Sequence, residues 1–158
     1  MDNRKLASIE YLLVLLEKVE TTPFSVDSVV YVAKCLGVPL KYYDDFLFSP
    51  LSPISPKVHD DVLTLLASRL IEREPSSLKY VLTQEGKRIA REIIEKMSLK
   101  DQEKLNKVSE IFKKLEDDKK REEFGLFLYV KNNNVKKIKD FLSENELETY
   151  ERLLQEHV

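Results

Sequence analysis

Few side chains in this sequence have the types and spacing that catalysis or metal binding requires. The 158 residues include two histidines, His59 and His157, and a single cysteine, Cys35, all far apart in the chain. An isolated histidine is more often a surface residue than a metal ligand, and we expect Cys35 to be a small buried apolar residue. With only three glycines, a phosphate-binding loop is not expected. The sequence therefore predicts no catalytic residue, no metal site and no cofactor.

A local basic patch is the candidate for nucleic-acid binding. The chain has 26 Lys and Arg against 28 Asp and Glu, a formal net charge of -2, so no overall positive field attracts it to DNA. From residue 54 to residue 96 there are eight basic and seven acidic side chains, a smaller excess than DNA-binding domains usually show. The predicted contacts to double-stranded DNA are Lys57, Thr64, Ser68, Arg73, Lys79 and Lys87.

Two adjacent carboxylates, Asp60 and Asp61, weaken the DNA hypothesis. Close to phosphate groups each would be repelled, unless it accepted a hydrogen bond from a base or paired with a basic neighbour. The simpler interpretation is that they favour the positive N-terminal end of a helix. Two hypotheses remain, and both rest on analogy with the fold expected for this chain. The leading one is a DNA-binding transcriptional regulator, and the alternative is a non-enzymatic module that uses that fold to bind a protein, as an antitoxin or complex subunit does.

Capping residues and apolar spacings of three and four predict four helices in the first part of the chain. Ser25, Ser55 and Thr83 are the expected N-caps of the second, third and fourth helices, and Pro56 suits the first helical position. The four helices are expected over residues 4–20, 26–36, 56–70 and 84–97. The side chains expected to share one core are Leu13, Leu16, Val30, Val62 and Leu66.

A β-hairpin is expected between the third and fourth helices. Residues 74–77 have a turn composition, and they separate the strand candidates 71–73 and 79–82. Thr83 then begins the fourth helix, and Gly86 in its first turn permits close approach of the helix to the strand.

The segment between the second and third helices is expected to be a structured connector. Residues 38–56 contain four of the six prolines, which exclude a regular helix. They also contain large aromatic side chains, which a flexible linker would lack. We expect these aromatics to attach the connector to the core, and a ligand pocket is the alternative. They are Tyr42, Tyr43, Phe46 and Phe48.

Three stretches of this sequence resemble a family of small winged-helix proteins from archaea and bacteria. They are LKYYDDFLFSPLSPISPKVHDDVLTLL at 40–66, LIERE at 70–74 and YVLTQEGKRIA at 80–90. The connector is similar to that of the antitoxin-associated Panacea domain, also called the SocA-like domain, and the resemblance covers residues 24–95. It implies a wing and a third helix that, in DNA-binding members, enters the major groove.

The expected fold class is mainly α. Residues 1–97 form a winged helix-turn-helix domain with three helices, a two-stranded wing and a following helix. Residues 98–158 form a C-terminal helical region that serves dimerisation or partner contact.

The C-terminal region has more apolar surface than one helix face can cover. Apolar residues predict a helix over 99–115, a block over 124–130 and a short helix over 135–142, and Ser143 with Glu146 forms a capping box for a last helix. Either that last helix folds back over the block or a second copy of the chain covers it, and we expect a homodimer through residues 99–131. Its predicted interface residues are Leu105, Val108, Phe112, Leu115, Phe124 and Phe127.

The compartment is expected to be the cytoplasm. One cysteine cannot form an internal disulfide, which fits a reducing environment. The longest apolar runs are far shorter than a membrane span, and the N-terminus begins a periodic helix rather than a signal peptide. The expected partners are therefore DNA, a protein or a second copy of the chain, and not a membrane.

Overall fold

The structure, a computed structural model, describes residues 6–47, 52–133 and 142–157. Within these ranges the chain is mainly helical, as predicted, with a small two-stranded antiparallel sheet. Phe48 of the aromatic cluster and all but the last residue of the short helix expected over 135–142 lie outside the described residues. The elements in chain order are α1 (Ser8–Lys18), α2 (Val26–Cys35), α3 (Pro56–Ala67), β1 (Ile71–Arg73), β2 (Tyr80–Leu82), α4 (Gln84–Lys96), α5 (Leu99–Lys113), α6 (Asp118–Asn132) and α7 (Glu144–His157).

Most of the predicted caps are confirmed. Ser55 Oγ accepts a hydrogen bond from the backbone N–H of Val58 at 3.1 Å, and Thr83 Oγ1 accepts from that of Gly86 at 3.0 Å. The capping box of α7 is also present, since the backbone N–H of Ser143 donates to Glu146 Oε1 at 3.0 Å. Ser25 occupies the N-cap position of α2 without a side-chain cap, because its hydroxyl instead accepts from the backbone of the preceding turn. Side-chain capping thus explains where α3, α4 and α7 begin.

The predicted hairpin is confirmed. In its antiparallel register Ile71 lies opposite Leu82 and Arg73 opposite Tyr80. The hairpin is attached to the segment between α1 and α2, because the backbone N–H of Tyr80 donates to the carbonyl of Thr21 at 2.8 Å. This attachment fixes the orientation of the hairpin relative to the helices.

Gly86 makes the close approach that the sequence predicts. A Cβ atom built at this position would lie 1.9 Å from the backbone oxygen of Leu70. The same oxygen accepts a hydrogen bond from the backbone N–H of Thr83 at 3.0 Å. The first turn of α4 therefore rests directly on the turn between α3 and β1, with no space for a side chain.

One hydrophobic core runs through all seven helices of the described chain. The predicted core residues Leu13, Leu16, Val30 and Val62 are buried. Leu66 packs against the same core but is only half-buried, whereas the preceding Leu65 is buried. The core also continues past the division that we predicted at residue 97, so this division does not separate two cores.

The apolar surface of α5 and α6 is covered within the chain. The ring of Tyr150 in α7 lies 5.7 Å from that of Phe124 and 6.1 Å from that of Phe127, measured between centroids. On another side α6 packs against α2, where a Cβ at Gly125 would lie 2.8 Å from Ser28 Oγ. The side chains predicted to form a seam between two copies are all at most 3% exposed in the single chain. They are Leu105, Val108, Phe112, Leu115, Phe124 and Phe127.

This burial corrects the expectation that a second copy covers the seam. The capped helix α7 folds back over the apolar block at 124–130. This is the alternative to a second copy that the sequence left open. The oligomeric state itself stays a prediction.

The connector is attached to the core by two of its aromatic residues. Tyr43 is fully buried, and the ring of Phe46 meets that of Tyr31 edge-on at 5.1 Å. Tyr42 is half exposed and is not part of this anchor. The described helices include none that is both long and apolar enough to cross a membrane.

Candidate interaction surface

Two carboxylates from other parts of the chain hold the start of α3. Asp27 of α2 accepts a hydrogen bond from the backbone N–H of Ser55 at 3.0 Å. Asp45 of the connector accepts from the Ser55 hydroxyl at 2.5 Å and from the backbone N–H of Lys57 at 3.0 Å. Because the first N–H groups of a helix have no partner inside the helix, these carboxylates satisfy them and favour the positive helix end. The direction of α3 relative to α2 is fixed by these contacts.

His59 joins the same arrangement. Its Nε2 lies 2.8 Å from Asp27 Oδ2, while its ring faces solvent. We expected His59 to be a surface residue, and it is exposed, but the sequence did not indicate its pairing with Asp27. Asp27 itself is only 6% exposed, and burial raises the pKa of its carboxyl against the opposing effects of Ser55 and His59. The pair is thus a structural connection between α2 and α3.

Replacing Asp27 with alanine is expected to lower the free energy of unfolding by about 1–3 kcal/mol. The change leaves the buried N–H of Ser55 without its acceptor and separates α3 from α2. Asp27→Asn is the matched control, because the amide oxygen can still accept from Ser55, and we expect a smaller loss. Urea unfolding of both variants measures the difference. Equal losses in the two variants would mean that the charge of Asp27 stabilises α3, and not the hydrogen bond that Asp27 accepts from Ser55.

The pH dependence of stability provides a second readout of Asp27. Its pKa is raised in the folded state, so the folded chain binds the proton more strongly than the unfolded chain. The contribution of this group to stability is therefore present below the ordinary aspartate pKa and falls as the pH rises through the raised value. Asp27→Asn removes this part of the pH dependence.

The solvent side of α3 presents an apolar residue among small and acidic ones. Leu63 is 62% exposed, a high value for a leucine in the middle of a helix. Asp60 and Ala67 are also exposed, and their spacing of three and four from Leu63 places them on the same helix face. Thr64 is exposed beside them, four residues after Asp60 and three before Ala67. Ser68 continues this face at the end of the helix. We call these five residues the α3 surface.

Leu63 is the residue of this surface that we did not identify from the sequence. The apolar stripe of α3 is defined by Val58, Val62 and Leu65, which are buried. Leu63 lies outside that stripe by helical spacing, so its position relative to Asp60 and Ala67 could have identified it.

Two of the predicted DNA contacts are already paired with carboxylates. Lys57 Nζ lies 2.6 Å from Asp44 Oδ1 and 4.7 Å from the ring centre of Tyr42. Lys79 Nζ lies 2.7 Å from Glu20 Oε2. A phosphate group at either lysine would have to compete with a carboxylate of the same chain.

The other four predicted contacts are exposed but scattered. Thr64 donates to the carbonyl of Asp60 at 3.1 Å, as a helix threonine commonly does, and Ser68 is the C-cap of α3. Arg73 on β1 and Lys87 on α4 are exposed. The structure thus distributes the six residues over α3, the hairpin and α4.

Asp61 has a role other than the expected contribution to the helix end. Its Oδ2 accepts a hydrogen bond from the buried Tyr43 hydroxyl at 2.7 Å. Burial and this carboxylate raise the pKa of Tyr43. Asp61 therefore holds the connector against α3, and Asp60 is the acidic residue that the α3 surface presents.

The remaining reactive side chains, Cys35 and His157, lie at the C-terminal ends of α2 and α7. Cys35 is exposed at the end of α2, which corrects the expectation that it is buried. Asn132 Nδ2 contacts its sulfur at 3.2 Å, and partial burial raises the pKa of the thiol. His157 packs near Glu110, with 3.6 Å between Nδ1 and Oε2.

Across residues 6–47, 52–133 and 142–157, no group of three or more His, Cys, Asp or Glu side chains is arranged to hold a metal ion. No protein-family model matches the chain, and neither a curated protein nor a solved structure was found to be similar to it. The candidate function therefore rests on the surfaces of the molecule itself.

Proposed function

We propose that α1 to α4 and the hairpin form a winged helix-turn-helix domain whose α3 surface binds a partner protein. In this proposal the hairpin is the wing and α3 has the place of the recognition helix. The order of elements supports the domain assignment, since α3 leads through a short turn into β1 and α4 packs back on α1. The protein is then a non-enzymatic interaction module, the alternative that the sequence left open.

The exposure of Leu63 is the observation that carries this proposal. An apolar side chain in the centre of a helix face, bordered by small residues, gains free energy when a partner removes it from water. Facing DNA, the same side chain would meet either the charged backbone or the polar edges of bases, and only a thymine methyl group would suit it. Asp60 on the same face adds repulsion from phosphate groups.

The charges around α3 agree with a protein partner. Lys57 and Lys79 are paired with Asp44 and Glu20, so the surface presents few cations to an anionic ligand. A mixture of one apolar residue, small side chains and one carboxylate is typical of a protein interface with a polar rim.

A photo-crosslinking residue at position 63 tests the proposal. We expect p-benzoylphenylalanine in place of Leu63, in cells that make the full chain, to form an adduct with one protein species that mass spectrometry identifies. Leu99 is the matched control, because it is 77% exposed at the start of α5 and lies outside the α3 surface. The same substitution there should give no such adduct. With the identified protein purified, Leu63→Asp should weaken binding by about 30-fold or more, and Leu99→Asp should leave it unchanged.

Binding to double-stranded DNA is the second candidate function. It is favoured by Arg73 and Lys87, which are exposed and make no ion pair with the described residues. Arg69 is also exposed, in the turn between α3 and β1, where the Thr83 hydroxyl donates to its carbonyl at 2.8 Å. Phosphate groups could reach these three side chains without displacing a carboxylate of the described residues.

Titration of the purified chain onto a random DNA duplex distinguishes the two candidates. Binding that falls with added salt and weakens in Arg73→Glu would favour DNA, and it would contradict the protein proposal if position 63 also gave no specific adduct. Arg88→Glu is the control for DNA binding, because Arg88 is already paired with Glu85 and Glu92.

A further inference from the structure

A cleft of about 370 Å³ lies between the end of α2 and helices α5, α6 and α7. None of the residues that line it belongs to the α3 surface. Its volume is in the lower range of small-molecule sites in proteins. The residues that line it are Cys35, Leu36, Lys104, Lys107, Leu128, Lys131, Asn132, Leu154 and His157.

Three leucines from three different elements form the apolar part of the cleft. Leu128 is buried, and Leu36 and Leu154 are half-buried. An apolar ligand that covered Leu36 and Leu154 would remove their exposed surface from water at little cost in ordering, because both side chains already pack against the core.

Three lysines form the cationic part of the cleft, and they differ in whether their ammonium groups have partners. Lys104 donates to the carbonyl of Gly37 at 3.1 Å and lies 3.7 Å from Asp101, and Lys131 is paired with Glu151 at 3.1 Å. Lys107 is exposed, and its ammonium group makes no hydrogen bond or ion pair with the described residues. It is thus the ammonium group of the cleft that is available to an anionic ligand.

His157 supplies an unsatisfied polar atom at the same place. Its side chain is 11% exposed, and its Nε2 is buried without a hydrogen-bond partner among the described residues. Its other nitrogen, Nδ1, lies 3.6 Å from Glu110. Because buried polar atoms in folded proteins nearly always have a partner, an unpaired imidazole nitrogen in the lining of a cleft indicates a place for a ligand atom.

We propose that this cleft binds a small organic anion with an apolar body, of the chemical class of a medium-chain carboxylic acid. Its carboxylate is received by Lys107 Nζ and His157 Nε2, and its chain lies on Leu36, Leu128 and Leu154. The acidic side chains near the cleft are compatible with an anion, because Asp101 and Glu151 are paired with lysines and Glu110 faces the other nitrogen of His157.

Sodium octanoate, below its micelle concentration, is the probe that tests the proposal. We expect saturable binding with one site per chain by isothermal titration calorimetry. Octanol lacks the charge and acetate lacks the chain, and each should bind about tenfold more weakly or worse. Lys107→Gln should weaken octanoate binding by about tenfold. Lys113→Gln is the matched control, because this lysine is exposed on the same helix and does not line the cleft.

Cys35 locates the bound molecule, because it is the one cysteine of the sequence and lines the cleft. Octanoate should slow its alkylation by N-ethylmaleimide, and acetate should not. Absence of saturable octanoate binding would overturn the proposal. Binding that neither depends on Lys107 nor protects Cys35 would overturn it as well, since the ligand would then lie elsewhere.

Discussion

Replacing Gly86 with alanine is expected to destabilise the protein by about 3 kcal/mol or more, the upper end of the cost of inserting a methyl group into a packed region. The new Cβ would lie 1.9 Å from the backbone oxygen of Leu70, and a backbone atom cannot rotate away as the end of a side chain can. To make room, α4 must shift from the turn that precedes β1, and this weakens the hydrogen bond from Thr83 to Leu70.

Urea unfolding of Gly86→Ala measures the loss, and Lys87→Ala is its matched control. Lys87 follows Gly86 in the same helix and is exposed, so the control changes helix propensity without crowding. The free energy of unfolding of Lys87→Ala should stay within about 0.5 kcal/mol of that of the original chain. If Gly86→Ala were equally stable, the close approach of α4 to Leu70 would not exist in solution.

Replacing Phe127 with alanine is expected to lower the free energy of unfolding by about 3–5 kcal/mol. Phe127 is 2% exposed, and its ring contacts those of Phe124 and Tyr150, so the truncation leaves a cavity between α6 and α7. Since the covering side chains belong to the same chain, the unfolding midpoint should not depend on protein concentration.

Phe24→Ala is the matched control, because Phe24 is the same residue type at 61% exposure. Its effect should be within about 0.5 kcal/mol. A midpoint of the original chain that rises with concentration, and loses this dependence in Phe127→Ala, would restore the seam between two copies that the sequence predicted.

The sequence was sufficient for features that depend on neighbouring residues. Ser55, Thr83 and Ser143 were correctly predicted as caps because a cap bonds to a residue three positions along the chain. The hairpin was predicted correctly for the same reason, since its turn composition lies within the hairpin itself. The role of Gly86 could be predicted from the sequence, because a glycine in the first turn of a helix indicates that another part of the backbone lies close to it.

Contacts between residues that are far apart in the chain could not be predicted from local sequence patterns. The pairing of His59 with Asp27 joins residues 32 positions apart, and no local spacing indicates it. The pairing of Lys79 with Glu20 is similar, and it changes the charge that the hairpin presents. From the sequence we singled out Thr64 and Ser68 on the exposed side of α3, but neither Leu63 nor the carboxylates that pair with Lys57 and Lys79.

The cover of α6 shows the same limit. An apolar block requires burial, and its composition does not say which chain provides it. Tyr150 of α7 satisfies the requirement within the molecule. Only the path of the chain in space decides between this arrangement and a second copy.

The continuity of the core across residue 97 bears on how such a protein can evolve. Because α6 packs on α2 as closely as Gly125 and Ser28 permit, the C-terminal helices are part of what keeps the first four helices in place. A gene fusion that carried only the first four helices into another protein would expose the apolar side of α2. Recombination would therefore have to transfer the described helices together as one unit of inheritance, and new surface properties would arise by substitution rather than by exchange of modules.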